Sequence, residues 1–475
     1  MFKSGTHRQV FATVAASMSI FISGMWLGWP SSVGEKFAKH QTDVEVTYDE
    51  LSWIVCLMDL GNFISPVFAG YMMDTLGRKL SIVVLGPLFI VSWLLTLYVP
   101  SIWALYGARL MAGIGKGMSY TVVPVFLGEI AGVKIRGALG SVFTIQLSSG
   151  FLFEVIVGPF LTYRTLNKVS AVMPVLFFLM FLWMPESPYY LLKKGREAKA
   201  AKCLQWYRCD SEITSELHQM DVNVQKEMEN QATFYELFTN RKNFKALMVV
   251  VTACIAQRAG GISCLLAYSP LFLPEPAPII GKFEYIMIFA TMLVVVNFIG
   301  LALVDKVGRK PLLIFSEVSS GLITFTFGVY YFLKDHAGLT SFTWLPYLCH
   351  FSFAIALAIG VGFIPVVFLG EMFPVNVRSH CSAIASITMA LASFVSNKIF
   401  LVISRTYGYY TMFWGFTVVN FICAYFAYRY AVETTGKTFQ EIQDILEESV
   451  KNDDRQKSKA KQNDEVKTIC CMKQL

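Results

Sequence analysis

Glu129 and Glu371 each stand seven residues ahead of an arginine, Arg136 and Arg378. The segments that carry them read alike, Pro124, Val125, Phe126, Leu127, Gly128, Glu129 and Pro365, Val366, Val367, Phe368, Leu369, Gly370, Glu371. A second repeat places an acid, a glycine and two cations together twice: Asp74, Gly77, Arg78 and Lys79 recur as Asp305, Gly308, Arg309 and Lys310. The chemistry open to such groups is electrostatic and reversible. Charge-assisted contacts can be made in one conformation and released in another, which suits a gate, and the four charges of the Glu/Arg repeat are expected to cross-pair between the halves of the chain. The plainer alternative is solvation of helix ends at a membrane surface. Three more ionisable residues, Asp59, Arg109 and Glu154, fall inside apolar runs, where a charge needs a partner or a role. No nucleophile with its base, phosphate loop or metal-ligand spacing stands out, so an enzyme, a cofactor or a metal is not expected.

The elements that must position these residues are membrane helices. Apolar residues make up 55% of the 475 and charged residues 15%, against about 25% charged in a soluble domain. Apolar runs of about 20 residues recur along the chain, the length that crosses a bilayer as a helix. Twelve spans are expected, beginning near Val10, Leu51, Ser81, Ile102, Leu139, Val169, Ala246, Phe283, Leu312, Thr343, Cys381 and Tyr410, with Pro174 interrupting the sixth. The first run is too long for a signal-peptide core and reads as a span. The long polar insertion, Glu186 to Lys245, mixes both charges with apolar residues at helical spacing. Motifs repeated half a chain apart imply two related halves, as in many secondary transporters. The expected fold is all-α: two pseudo-symmetric six-helix bundles, residues 1–184 and 246–432, a helical linker 185–245 and a tail 433–475.

The net charge of +7 is spread over connecting segments and the tail rather than gathered in a patch, so it signals topology, not nucleic-acid binding. Arg78 and Lys79, Lys134 and Arg136, Arg309 and Lys310, and Arg378 fall on the side of the linker and both termini, which places that side in the cytosol. The first opposite loop holds Glu35, Asp43, Glu45, Asp49 and Glu50. The ten cysteines form no disulfide framework, and Cys470 and Cys471 close a polar tail as a pair open to palmitoylation.

With these residues in view, the chain resembles a sugar porter of the major facilitator superfamily over nearly its whole length. Besides the two repeats it has Arg109 fifteen residues before Pro124, the run Pro185, Glu186, Ser187, Pro188, and the closing Glu433, Thr434, Thr435, Gly436, Lys437, Thr438. The run Leu51, Ser52, Trp53, Ile54, Val55 with Met58, Asp59, Leu60, Gly61, Asn62 is similar to insect facilitated trehalose transporters. The resemblance implies a sugar site near the bilayer midplane between the halves, carried here by Gln146, Gln257, Ser263, Tyr268, Asn297, Gly362 and Pro365. Several positions depart from the family pattern: Arg258 replaces its second span-seven glutamine, Ser263 its asparagine, Ala267 an aromatic, Val366 a tryptophan, and Met389 and Ala390 its Asn-Trp. Asn297 lies about one helical turn nearer Asp305 than the family asparagine. Gln146, Gln257 and Asn297 could equally make interhelical hydrogen bonds.

Proton-driven members carry an Asp in span one where this chain has Pro30, so downhill transport is the expectation, with Asp59 or Glu154 neutralising Arg109. The expected function is therefore facilitated diffusion of a small neutral sugar, trehalose or a hexose such as glucose, by alternating access in a monomeric protein of the plasma membrane. A proton-coupled sugar or polyol symporter and a non-transporting sugar sensor are the alternatives.

Overall fold

A helix satisfies all its backbone groups internally, which is why apolar runs of this length become helices in a membrane. The computed structural model describes residues 5–132, 136–209, 213–229, 234–338, 341–437 and 440–449, and among them helix is the only regular structure besides turns. Twelve helices are long and apolar enough to cross a membrane: Gly5–Ala38, Tyr48–Thr75, Arg78–Tyr98, Ile102–Ile130, Val142–Phe160, Tyr163–Leu182, Arg241–Phe272, Lys282–Gly300, Arg309–Ala337, Trp344–Glu371, His380–Tyr407 and Tyr409–Tyr430. The expected starts lie within six residues of these. An even number of crossings puts both ends of the chain on one face, called here the terminal face; the other is the distal face.

Local chemistry sets the helix ends. Thr47 and Glu50 form a reciprocal capping box at the start of span two, the Glu50 amide donating to Thr47 Oγ1 at 3.3 Å and the Thr47 amide to Glu50 Oε2 at 2.8 Å. Thr162 caps span six and Ser187 caps the short helix Pro188–Lys193. Spans one and five cross closely at glycines, where a Cβ on Gly24 would lie 2.1 Å from the Leu147 carbonyl oxygen and one on Gly150 1.9 Å from that of Phe21.

Two spans are broken at glycines. Span seven divides into Arg241–Ala259 and Ile262–Phe272 at Gly260 and Gly261, and span ten into Trp344–Ile359 and Ile364–Glu371, where Gly360 to Phe363 unwind. The backbone groups this frees are met by buried polar side chains. Gln257 Nε2 donates to the carbonyls of Val361 at 3.0 Å and Gly362 at 2.6 Å, Asn420 Nδ2 donates to that of Gly260 at 2.9 Å, and Ser316 Oγ accepts from the Val361 amide at 3.0 Å. Irregular backbone at membrane depth persists on such terms.

Between spans six and seven the helices Pro188–Lys193, Glu197–Arg208, Thr214–Glu229 and Glu236–Thr239 follow one another. Glu197–Arg208 is pinned to the terminal face of the first spans: Gln9 Nε2 donates to the Tyr207 carbonyl at 3.2 Å, Arg208 Nη1 to that of Ile130 at 2.9 Å, and the Tyr207 hydroxyl to that of Pro185 at 3.0 Å. After span twelve, residues 440–449 are helical, and Gln443 Nε2 reaches the Met372 carbonyl at 2.8 Å.

Candidate functional site

Each repeated turn of acid, glycine and two cations folds around one carboxylate. Gly77 and Gly308 take φ of +97° and +107°, a region that L side chains rarely adopt, and each opens the following helix. Glu186 lies over the first of these helix starts, accepting from the amides of Arg78 at 3.1 Å and Lys79 at 2.9 Å. Glu433 does the same over the second, accepting from Arg309 and Lys310, both at 3.0 Å. A carboxylate suits a helix N-terminus because four amides there lack intrahelical partners and the dipole favours negative charge. The arginine side chains then turn to the acid of the other repeat: Arg78 Nη2 to Glu129 Oε1 at 2.7 Å, and Arg309 Nη2 to Glu371 Oε1 at 3.0 Å. Thr434 Oγ1 also donates to Glu371 Oε2 at 2.5 Å.

These contacts correct the expected geometry in one respect. The acids do not cross-pair between the halves; each joins the turn within its own half, because Arg78 and Glu129 belong to spans two to four and Arg309 and Glu371 to spans eight to ten. Asp74 makes the outermost contact, 3.3 Å from Lys193 and 3.8 Å from Arg78, and Lys79 contributes its amide. Arg378 Nη2 donates to the Phe373 carbonyl at 3.1 Å. The side chains of Arg136 and Asp305, and Cys470 with Cys471, lie outside the described residues. Glu186, Glu433, Thr434 and Thr435 belong to the runs that carry the family resemblance, and a shared pattern links them: an acid followed by a hydroxyl residue comes directly after span six and again after span twelve.

The contacts that do bridge the halves lie toward the distal face. Lys398 of span eleven reaches Asp49 at 3.0 Å and Ser52 Oγ at 2.9 Å, and lies 4.1 Å from the centre of the Trp53 ring. Lys282 of span eight pairs with Glu35 of span one at 3.4 Å. Deeper in, Asp59 Oδ2 accepts from Ser393 Oγ at 2.7 Å and Asn397 Nδ2 at 2.9 Å. Every hydrogen bond and ion pair between the first and last six spans that joins described residues belongs to this set. Outside the membrane, Lys282 beside Glu275 at 2.5 Å draws the Glu275 carboxyl below its usual range.

Beneath this closure lies a cavity walled by spans one, two, four, seven and eleven. Its polar wall is Asp59, Arg109, Arg258, Ser263, Ser393 and Asn397, and its apolar wall Leu27, Pro30, Val55, Met58, Leu266 and Ala267. Of the residues expected to hold ligand, Ser263 is here. Gln257 is spent on span ten, with Gly362 as one of its acceptors, and Pro365 opens the second segment of that span. Tyr268 is buried above the cavity, its ring stacked on Phe400 at 5.3 Å and its hydroxyl donating to the Asn397 carbonyl at 3.1 Å. Asn297 lines a separate crevice of about 210 Å³ with Thr144, Ser148 and Phe298, and half-buried Gln146 sits on the neighbouring stretch of span five.

Neither acid meets Arg109 as an ion pair, contrary to expectation. Asp59 takes Lys116, at 3.6 Å, and Glu154 accepts from Ser170 Oγ at 3.0 and 3.2 Å. Arg109 instead donates to the carbonyls of Ile54 at 2.7 Å, Trp26 at 2.6 Å and Val55 at 3.4 Å, with the Trp26 and Trp29 rings 5.6 and 5.8 Å away. Carbonyl dipoles and ring faces spread over a planar guanidinium in this way compensate its charge in direct contact, with the Asp59 carboxylate acting on it only from a distance.

Known proteins resemble the chain over the same length. The family model described as "Sugar (and other) transporter" matches residues 10–446. A facilitated trehalose transporter of Polypedilum vanderplanki is 28% identical over 92% of this chain and 88% of its own. One from Drosophila erecta is also 28% identical, over 91% of this chain, which spans about half (52%) of that protein. Among solved structures, the E. coli xylose transporter XylE in a partially occluded inward open conformation superposes with a TM-score of 0.75 at 20% identity, covering 91% of this chain and all of that one. Its inward open form gives 0.74. At that identity the likeness speaks for the fold.

Proposed function

Because the chain belongs to the sugar transporter family, with the twelve-helix fold of the major facilitator superfamily, we propose that it carries a small sugar across the membrane by alternating access, downhill and without an ion. The sugar class, a hexose or a disaccharide such as the trehalose in its relatives' names, comes from that family resemblance. One observation carries the mechanism: a polar cavity lies between the two halves, and among the described residues the polar contacts joining the halves run through its wall at Asp59 or lie on its distal side. A site sealed from one side by breakable contacts is what rocking bundles require.

In this reading residues 1–184 and 246–432 are the two moving bundles, 185–245 the linker and 433–475 the tail. In line with the positive-inside rule, both termini are then cytosolic and the distal contacts outside, and the protein works as a monomer in the plasma membrane. The molecule is then in its inward-facing state. Opening outward separates Lys398 from Asp49, Lys282 from Glu35 and Asp59 from Asn397. The clamps around Glu186 and Glu433 hold each bundle rigid through that motion, and the repeated turns meet across the cytosolic side when it closes. Of the residues expected at the site, Ser263 serves on the cavity wall, Gln257 and Tyr268 serve through span seven, which frames it, and Gln146, Asn297, Gly362 and Pro365 serve through the neighbouring spans five, eight and ten.

Proton coupling has one observation in its favour, a carboxylate, Asp59, that bonds both halves beneath the closure. The deciding experiment is uptake of labelled trehalose, glucose, fructose and inositol into proteoliposomes, with and without an imposed pH gradient. Saturable uptake indifferent to the gradient is the expected result. Gradient-driven uptake that disappears in Asp59→Asn would establish the symporter instead.

A further inference from the structure

The charges around the cavity do not sum to zero. Arg109, Arg258 and Asp59 line it, and buried Lys116 stands 3.6 Å from Asp59, so three cations meet one carboxylate. Lys116 is not on the cavity wall, but it shares Asp59 with the cavity, so a single carboxylate answers three cations. Arg109 is compensated by three carbonyls and two indole faces. Arg258 has no such setting. It is half-buried beside the Gly260–Gly261 break, and no ion pair joins it to a described residue.

A cation at this depth is costly unless something of opposite charge reaches it. A neutral sugar brings only hydroxyl dipoles, whereas a carboxylate can take both arms of a guanidinium at once. The same wall holds an acceptor without a donor: Asn397 Nδ2 is engaged by Asp59 and Ser393, while its buried Oδ1 has no hydrogen-bond partner among the described residues. Its natural complement is a hydroxyl group.

We propose that acidic monosaccharides, uronates and aldonates, are cargo of this cavity as well, and bind it more tightly than neutral sugars of the same size, with Arg258 receiving the carboxylate and Asn397 a hydroxyl. The inference rests on the sugar-transport reading and adds a charge to its substrate class. Since no compensating ion enters, carriage of such a sugar moves one negative charge per cycle and responds to membrane potential.

The test uses the purified full chain in proteoliposomes with potassium gradients and valinomycin. Unlabelled D-glucuronate is expected to halve labelled D-glucose uptake at a concentration at least tenfold below that needed with unlabelled D-glucose, and an interior-positive potential to accelerate uptake of labelled glucuronate. Arg258→Gln should bring the ratio of the two concentrations near one, and Arg258→Lys, which keeps the charge but loses the fork, should leave it between the two. Glucose uptake that glucuronate inhibits no better than glucose does would overturn the proposal and leave sugar transport standing. Lactate competing as well as glucuronate would overturn it by removing the sugar from the recognition, and uptake of neither sugar would overturn it while the trehalose, fructose and inositol measurements decide the transport reading. The wild-type measurements decide the question alone if the variants do not fold.

Discussion

Single residues carry the paired clamps. Glu433 is held by the amides of Arg309, Lys310, Thr434 and Thr435 and by the Thr435 hydroxyl. Burial works to raise its carboxyl, but these donors outweigh it and keep the group below its ordinary value of 4.5. A depressed carboxylate contributes stability that is fully present above the unfolded value and lost as pH falls through the folded one. Glu433→Gln should therefore melt below wild type at neutral pH, with the gap narrowing as pH drops below about 4.5. A gap that stayed constant would mean the charge is not what counts. Gly77→Ala and Gly308→Ala force a Cβ into a positive φ, where it would also lie 2.3 and 2.7 Å from the carboxylates of Glu186 and Glu433. Each should cost about 1–3 kcal/mol, seen as a lower midpoint in thermal unfolding, while Gly70→Ala, where a Cβ meets nothing within 4 Å, should not. The glycines and cations of these turns were legible in the sequence because the repeat wrote them twice. Their true partners, Glu186 and Glu433, were not, since only folding brings the ends of spans six and twelve back over them.

At the scale of elements, the two broken spans depend on polar side chains that look, in sequence, like a sugar site. Gln257 sits where the family resemblance puts a ligand amide, yet it holds the unwound turn of span ten. Removing it strands two carbonyls at membrane depth, a loss of about 1–3 kcal/mol for each buried group left unsatisfied. Gln257→Ala and the near-isosteric Gln257→Glu, which as a carboxylate cannot donate, should lower the unfolding midpoint alike and slow uptake. A Glu variant as stable as wild type would show that shape, not donation, is what the position supplies. The breaks themselves could be anticipated from Gly260, Gly261, Gly360, Gly362 and Pro365, because glycine and proline weaken helices wherever they fall. Which neighbour satisfies the freed backbone depends on how spans seven, nine, ten and twelve pack, and periodicity does not contain that.

For the whole molecule the question is which face is closed. Lys398 and Lys282 join the halves at the distal side, the first through an exposed contact of the kind worth about 0.2–1 kcal/mol and the second through the more enclosed Glu35. Such values are small against a fold but sufficient to bias two conformations of similar energy, since one or two kcal/mol changes a ratio by roughly 5–30-fold. In Lys398→Ala combined with Lys282→Ala, the outward-open population should rise several-fold. Cys56 and Cys264, both buried on the distal half of their spans, can report it by faster labelling with a membrane-impermeant maleimide applied from outside. Unaltered labelling in a variant that still transports would remove these lysines from the gate.

The sequence by itself determined the twelve spans, their doubled arrangement, the family and the charged turns, because hydrophobic length and repeated motifs are local properties that every copy of the chain carries in order. Tertiary structure alone decided the pairings: that Glu129 and Glu371 close clamps inside each half, that Lys398 and Lys282 bridge the halves at the other face, and that Asp59 takes Lys116 while Arg109 takes carbonyls. The reason is physical. A charge at membrane depth must be compensated, but many partners can do so, and the choice among them is made by which helices lie side by side.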